Sequence, residues 1–389
     1  MPSRKPTRPD QSTRPARTKA PERGLKAASD RLILDTAAEL AGPKVLVVLL
    51  HGATLASALR SARPDLHFTF YTPEHFFSRT LHSFHGEEAS DAAGCSIVCA
   101  ADPPPGPWDS ILFPTFAGDP SEAAQELFQT LQTQLKPGGT LFVSTNNPRD
   151  RWIQAQLRPL FNPVEVRKLP RGVLCAATRS VPLKKLRGFN ARFGFRHHDR
   201  VLLCETRPGV FSHRRLDGGA RALIRSLDLV SQKIAAGSFP NPARIVEMGA
   251  GCGAVSIAAA CSFPHADVLA VDSDARAIDS TKRSAQLNQI PNVRTLLSSD
   301  GVTEQPGTWD LLLGNPPYYS DFRIAELFLQ TARKLLRPGG LVHIVSKPTE
   351  WQLARMQQLF ANVEQHTFGE YSVFTAVRSA PKSTPQHGD

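Results

Sequence analysis

The chain repeats itself. Trp108-Asp109 leads to Leu135-Lys136-Pro137-Gly138-Gly139 and then Leu160-Phe161, while Trp309-Asp310 leads to Leu336-Arg337-Pro338-Gly339-Gly340 and then Leu359-Phe360. The matching landmarks lie 201, 201 and 199 positions apart, so the spacing holds with one small gap. Chance supplies a single Pro-Gly-Gly match; three landmarks in register indicate duplication. Around them, short apolar runs alternate with helical patterns, which is how a parallel α/β sheet reads in sequence. The expected organisation is one α/β domain over residues 31–181 and another over 207–379. A basic linker at 182–206 would join them, with disordered tails at 1–30 and 380–389.

A chain of 389 residues agrees with two domains, and 41% hydrophobic residues suffice for two buried cores. The formal charge of +11 points to a polyanionic partner, because Lys and Arg gain affinity by displacing counterions from phosphates. Residues 4–26 hold eight basic and two acidic side chains, so a net +6 sits in the N-terminal tail and +5 in the rest. The six cysteines form no CxxC pair and have no histidines at zinc spacing, which predicts no metal and a reduced, cytoplasmic setting. No apolar run nears the roughly 20 residues that cross a bilayer, so no membrane partner is expected. In the linker, Arg192, Arg196 and Arg200 alternate with Phe189, Phe193 and Phe195. Such interleaving suits stacking on nucleic acid, or equally a connector whose rings pack on the domains. His197-His198 reads as a solvated pair rather than a ligand pair.

The two copies differ where chemistry would sit. After the run Arg244-Ile245-Val246 the second carries Glu247-Met248-Gly249-Ala250-Gly251-Cys252-Gly253, whereas the first has only His51-Gly52-Ala53-Thr54. Gly249, Gly251 and Gly253 let the backbone turn sharply beside a ligand, and Glu247 can accept from a cationic amino acid moiety. About 20 residues on, the next strand ends in Asp272, placed for ribose hydroxyls. The strand ending at Ser298-Ser299-Asp300 offers Asp300 to an adenine amino group. The G-x-G-x-G spacing favours S-adenosyl-L-methionine over a dinucleotide; an NAD-dependent oxidoreductase lacks evident hydride-transfer residues here.

Asn315-Pro316-Pro317-Tyr318 follows another apolar strand, and Asn315 falls opposite Pro114 of the first copy. The prolines fix φ and remove amide donors, which stiffens the loop and exposes carbonyls. The Asn315 side-chain oxygen and the Pro316 carbonyl can together accept both hydrogens of a planar amine, and Tyr318 can stack on the flat group that carries it. The bland alternative is a tight turn, which Asn-Pro also starts.

Asn-Pro-Pro-Tyr paired with the glycine loop resembles the class I amino-methyltransferases, which act on adenine N6, guanine N2 or protein glutamine. The duplicated layout, Pro208-Gly209-Val210-Phe211-Ser212 followed by Leu216-Asp217-Gly218-Gly219, and a closing segment with Trp351, Phe360 and Tyr371 resemble the ribosomal RNA guanine-N2 methyltransferases. The resemblance covers residues 40–379 and implies two tandem Rossmann-like class I methyltransferase domains, the N-terminal one degenerate. It also implies methyl transfer to a guanine N2 in ribosomal RNA by a monomer acting on the RNA or the subunit. In that reading Phe211 to Asp217 close over the cofactor, Asp217 joins the cofactor residues, and the first copy grips RNA. Tyr318-Tyr319-Ser320-Asp321 departs from the family's more usual Phe-His and Gly. A non-catalytic RNA-binding assembly factor is the rival from another class.

Overall fold

The β-branched and aromatic runs of the first half form seven strands, β1 Lys44–Val48, β2 His67–Thr72, β3 Cys95–Cys99, β4 Trp108–Thr115, β5 Leu135–Thr145, β6 Val164–Leu169 and β7 Gly172–Thr178. Between them lie helices α1 Ala28–Leu34, α2 Thr54–Ala62, α3 His75–His85, α4 Ser121–Gln134 and α5 Trp152–Leu157. A hairpin follows, β8 Ala191–His197 with β9 Arg200–Thr206. The second half repeats the plan: β10 Arg244–Met248, β11 Asp267–Asp272, β12 Val293–Leu297, β13 Trp309–Gly314, β14 Leu336–Ser346, β15 Ala361–Phe368 and β16 Tyr371–Val377. Its helices are α6 Gly218–Arg225, α7 Leu227–Ala235, α8 Ala254–Ser262, α9 Ala275–Leu287, α10 Arg323–Leu335 and α11 Glu350–Leu359. The computed structural model describes residues 27–85, 94–301, 304–317, 322–347 and 350–380. The tails expected to be disordered fall outside these, apart from residues 27–30 and 380.

Each half is one seven-stranded sheet of the same order, β3-β2-β1-β4-β5-β7-β6 and β12-β11-β10-β13-β14-β16-β15. In each sheet six strands point the same way and one, β7 or β16, runs antiparallel to both its neighbours. Apolar clusters line both faces of each sheet, as buried parallel sheets require. The landmarks that betrayed the duplication are fold pins. Asp109 accepts from the Lys44 backbone amide and pairs with Lys136, and Asp310 accepts from the Arg244 amide and pairs with Arg337. Gly340 is needed where β14 crosses close to β13, since a Cβ there would lie 3.1 Å from the Trp309 carbonyl.

Two expected boundaries move. Helix α1 begins at Ala28, within the expected tail, and Ser144 Oγ donates to the Ser29 carbonyl. The expected linker holds the β8–β9 hairpin, which packs on the second unit: Cys204 and Phe195 join its core, and Asn288 of α9 bonds the Leu203 backbone in both directions. Phe189 and Phe195 are buried, so the packing alternative applies to them rather than stacking on nucleic acid, while Arg192, Arg196 and Arg200 stay exposed. His197 is likewise buried, Nε2 lying 2.9 Å from Ser262 Oγ, which corrects the solvated reading for that member of the pair.

The two copies meet through the turns that follow β2 and β11. His75 N donates to the Ser273 carbonyl (2.8 Å) and Ala275 N donates to the Pro73 carbonyl (2.9 Å), with Glu74 facing Asp274. Positions 73–75 and 273–275 thus exchange the same bonds, the self-complementary arrangement of a two-fold interface made within one chain. Arg207 bolts the joint: almost wholly buried, it pairs with Asp102 and Glu126 of the first copy and with Asp279 of α9. Removing one member of a fully buried charge network costs ~3–5 kcal/mol. Asp102 is substantially solvated, so Arg207→Ala should cost about 2 kcal/mol once screening is allowed for. Urea unfolding of the full chain measures this.

Candidate active site

In the parallel part of the sheet, β10 lies between β11 and β13, and the connections leave it in opposite directions. The carboxyl ends of β10 and β13 therefore flank a crevice, where ligands of such sheets settle. Met248 pairs with Gly314, so the glycine turn and Asn315 emerge side by side. The Asn315 carbonyl oxygen lies 3.7 Å from where a Gly249 Cβ would stand.

The glycine turn is braced from three sides. Gly249 N and Ala250 N donate to the Val271 carbonyl, Gly251 N donates to Asp272 Oδ2 at 2.8 Å, and Thr281 Oγ1 donates to the Gly251 carbonyl at 3.1 Å. Gly253 opens α8 with φ 81, and a Cβ there would meet the Thr281 backbone at 3.0 Å, so no other residue fits. Helix α8 is apolar on every side and buried, which seats the turn firmly. Gly251 faces open space, with nothing within 4 Å of its virtual Cβ.

Two carboxylates lie under this turn. Glu247 is buried and accepts from Ser256 Oγ; burial pushes its carboxyl up to about 8. Asp272 receives the Gly251 and Asp274 amides, yet burial still raises it to about 6. Neither is ion-paired with Lys, Arg or His among the described residues. One buried and one half-buried carboxyl without a cation beside an open glycine turn suit a positively charged ligand, which would favour their ionised forms. The donor set therefore fits a sulfonium- and ammonium-bearing cofactor.

Asn315 is held by its own amide. Its Nδ2 donates to Asp217 Oδ2 at 3.1 Å, and the same oxygen caps α6 by accepting from Ala220 N at 3.1 Å. With the NH2 group directed at Asp217, Oδ1 faces Gly219, where a Cβ would come within 2.8 Å. The Tyr371 ring packs over Gly218, 2.5 Å from where its Cβ would lie. Pro316 is buried. Tyr318 lies outside the described residues. Asp300 is exposed and its carboxylate pairs with Arg79 of the first copy, while the neighbouring Ser299 N donates to His75 Nδ1 at 3.1 Å. The geometry thus brings Glu247, Gly249, Gly251, Gly253, Asp272, Asp217, Asn315 and Pro316 to one crevice, with Asp300 on its rim against the other copy.

Sequence reasoning missed Ser256 and the first copy's His75 and Arg79, and it named Tyr371 only as part of the closing segment. Ser256 carries a weak signal, standing on the first full turn of the helix that the glycine loop opens. The residues of the first copy carry none, since only the two-fold packing brings them close.

The corresponding crevice of the first copy keeps a cavity of about 170 Å³, lined by His51, Glu74, Phe77 and Asp119, but no glycine turn borders it. His51 stands at the strand end, 2.9 Å from Asp119 and edge-on to Phe116. Thr72 replaces Asp272 and contributes only a hydroxyl, which accepts from Glu74 N.

The carboxyls under the turn predict a pH signature. Glu247 keeps its proton to about 8 in the fold but releases it near 4.5 when exposed, and Asp272 behaves likewise between 3.8 and about 6. Across those windows the unfolded chain binds fewer protons, so stability is full below the unfolded values and falls as pH rises. The ligand-free protein should lose urea resistance from pH 5 to pH 8, and Glu247→Gln should flatten the loss above pH 6.

Residues 202–375 match the model of the methyltransferase small domain. A ribosomal RNA small subunit methyltransferase C of Pseudoalteromonas translucida is 25% identical over 357 residues, 88% of this chain and 97% of that protein. One of the same description from Pseudomonas entomophila is 29% identical over 167 residues, 42% of this chain. A ribosomal RNA large subunit methyltransferase G of Streptomyces coelicolor is 32% identical over 181 residues, 44% of this chain. These last two matches span about half the length of the relatives concerned, 47% and 46%. The T. thermophilus 16S rRNA N2 methyltransferase (RsmC), solved with AdoMet and guanosine, superposes with a TM-score of 0.71 at 19% identity, covering 91% of this chain and 94% of that one. Its fold is the fold described above. Residues 202–375 thus carry the methyltransferase small domain, and the chain is built as two Rossmann-like α/β folds in tandem.

Proposed function

We propose that the second copy transfers the methyl group of S-adenosyl-L-methionine to the exocyclic N2 amine of a guanine in ribosomal RNA. The observation that carries this is the pairing of Asn315, its NH2 group spent on Asp217, with the glycine turn one strand away. The names of the full-length relative and of the structural neighbour support the RNA and the guanine as the acceptor class. The formal charge of +11 suits a polyanionic substrate.

The turn of Gly249, Gly251 and Gly253 with Glu247 and Asp272 would hold the cofactor, and Asp300 would stand at the far end. When bound, the cofactor supplies an electrophilic methyl group on a sulfonium. The chain's own work is alignment and electrostatics. Asn315 Oδ1 and the Pro316 carbonyl accept the two amine hydrogens, which fixes the amine plane and draws electron density onto its nitrogen. Two oriented acceptors stabilise the charge that grows on that nitrogen at the transition state without having to reorganise. Fixing the amine within reach can itself supply several kcal/mol of the barrier. The proton can leave after transfer, so no strong base is required at the amine. Tyr318 is assigned to stack on the base plane.

Labelled methyl transfer to unmodified ribosomal RNA, followed by nucleoside identification, tests the reading. Methylated guanosine is expected; methyladenosine, or label only in protein glutamine, would redirect it, and failure to bind the cofactor in calorimetry would favour a scaffold. Asn315→Ala should lower turnover by about a hundredfold or more, the scale of losing an oriented transition-state acceptor. Cofactor affinity and the unfolding midpoint should stay near those of the parent chain.

A further inference from the structure

We infer that the degenerate copy is a working part of the active site, and that Glu122 is a positioning residue for Asn315. The inference rests on the function proposed above and concerns the connector at residues 207–217, between β9 and α6. That connector belongs to the catalytic unit by sequence but is held by the other unit. Arg207 anchors its start through Asp102 and Glu126. Farther along, Arg214 forks onto Glu122, with Nη2 2.8 Å from Oε1 and Nε 3.2 Å from Oε2, and His213 Nε2 lies 3.3 Å from the same carboxylate. A two-pronged guanidinium–carboxylate pair fixes orientation as well as distance.

The backbone there needs such a hold. Ser212 (φ 55) and Arg214 (φ 77) both sit in the left-handed region without being glycines. Side chains resist this region, and it persists only when surrounding contacts impose it. Glu122 is that contact, for its partner Arg214 is itself one of the two strained residues. Three residues later the connector delivers Asp217, whose Oδ2 caps α6 and receives Asn315 Nδ2.

The consequence is chemical. An asparagine amide has two faces of similar shape, one donating and one accepting. Asp217 accepts only, so it selects the orientation in which Asn315 presents its oxygen away from Asp217. If Arg214 is released, the two left-handed residues can relax and Asp217 loses its fixed place. Asn315 is then free to turn its NH2 group toward the amine it must accept from. The first copy's Glu122 therefore controls which end of Asn315 meets the substrate, without touching it. Its pair, Arg214, is half-exposed, so its removal should leave the core intact.

The test uses the full chain and the variants Glu122→Ala, Arg214→Ala and the charge-reversed pair Glu122→Arg with Arg214→Glu. Glu39→Ala, which breaks a two-pronged pair with Arg167 inside the first copy, is the control. The readouts are kcat and KM on ribosomal RNA, cofactor affinity by calorimetry, and hydrogen exchange of the amides at 208–217. Both alanine variants should lower kcat about tenfold or more, the scale of a small misplacement near the chemistry. KM and cofactor affinity should hold, and the connector amides should exchange faster. Charge reversal should recover most of kcat and protection, and the control should change neither. Parental kcat in Glu122→Ala, unchanged exchange, or a loss that charge reversal does not recover would each overturn the inference. If the parent chain transfers no methyl group, the functional reading fails instead, and the exchange data still decide whether Glu122 holds the connector.

Discussion

The chemistry of this chain depends on the adjacency of β10 and β13. In a sheet of this order the chain leaves its central strand in two directions, so two loops that are distant in sequence open at neighbouring strand ends. One loop is a glycine turn over two carboxyls, Glu247 and Asp272, that have no basic partner among the described residues, and the other begins with Asn315. Neither is a site alone. In the proposed reaction the turn would hold the electrophile and Asn315 would accept from the amine. Met248 against Gly314 makes them one crevice.

Burial of charge sharpens that crevice. Glu247 and Asp272 have backbone and hydroxyl donors but no basic side chain among the described residues, so the turn carries a deficit of positive charge that burial meets by favouring their protonated forms. Such a deficit is costly in the empty protein and becomes useful when a cation arrives. The first copy differs at the strand ends: Thr72 stands where Asp272 would, and His51 lies beside Asp119. Loss of chemistry there left the sheet intact, because the pins Asp109, Lys136 and Trp108 serve the fold and not a ligand.

The duplication then takes on a second meaning. The two copies pair as a dimer would, through turns 73–75 and 273–275. That pairing sets the first copy's His75 and Arg79 against Ser299 and Asp300, and its Asp102, Glu122 and Glu126 against the 207–217 connector. A vestigial domain placed this way can shape the active crevice from outside it.

Much of this was legible in the residues. The repeat of Trp-Asp, Pro-Gly-Gly and Leu-Phe announced two α/β units because a strand crossing needs the same side chains in each copy. The glycine turn, Asp272 and the Asn-Pro-Pro run announced the crevice because their backbone demands are local and written in residue type. What stayed illegible involved long-range packing. The expected linker was a hairpin whose Phe195 and Cys204 are core, since alternation of basic and aromatic residues reads alike on an exposed segment and on a half-buried strand. Asp300 read as a free acceptor, but its partner Arg79 lies 221 positions earlier. Sequence by itself determined the fold, the duplication and the chemical kinds gathered at the strand ends, because periodicity and glycine content act over a few residues. Only the tertiary structure decided that Asp217 orients Asn315 and that the silent copy holds the connector, because those depend on charges that meet across the two-fold joint and leave no local trace.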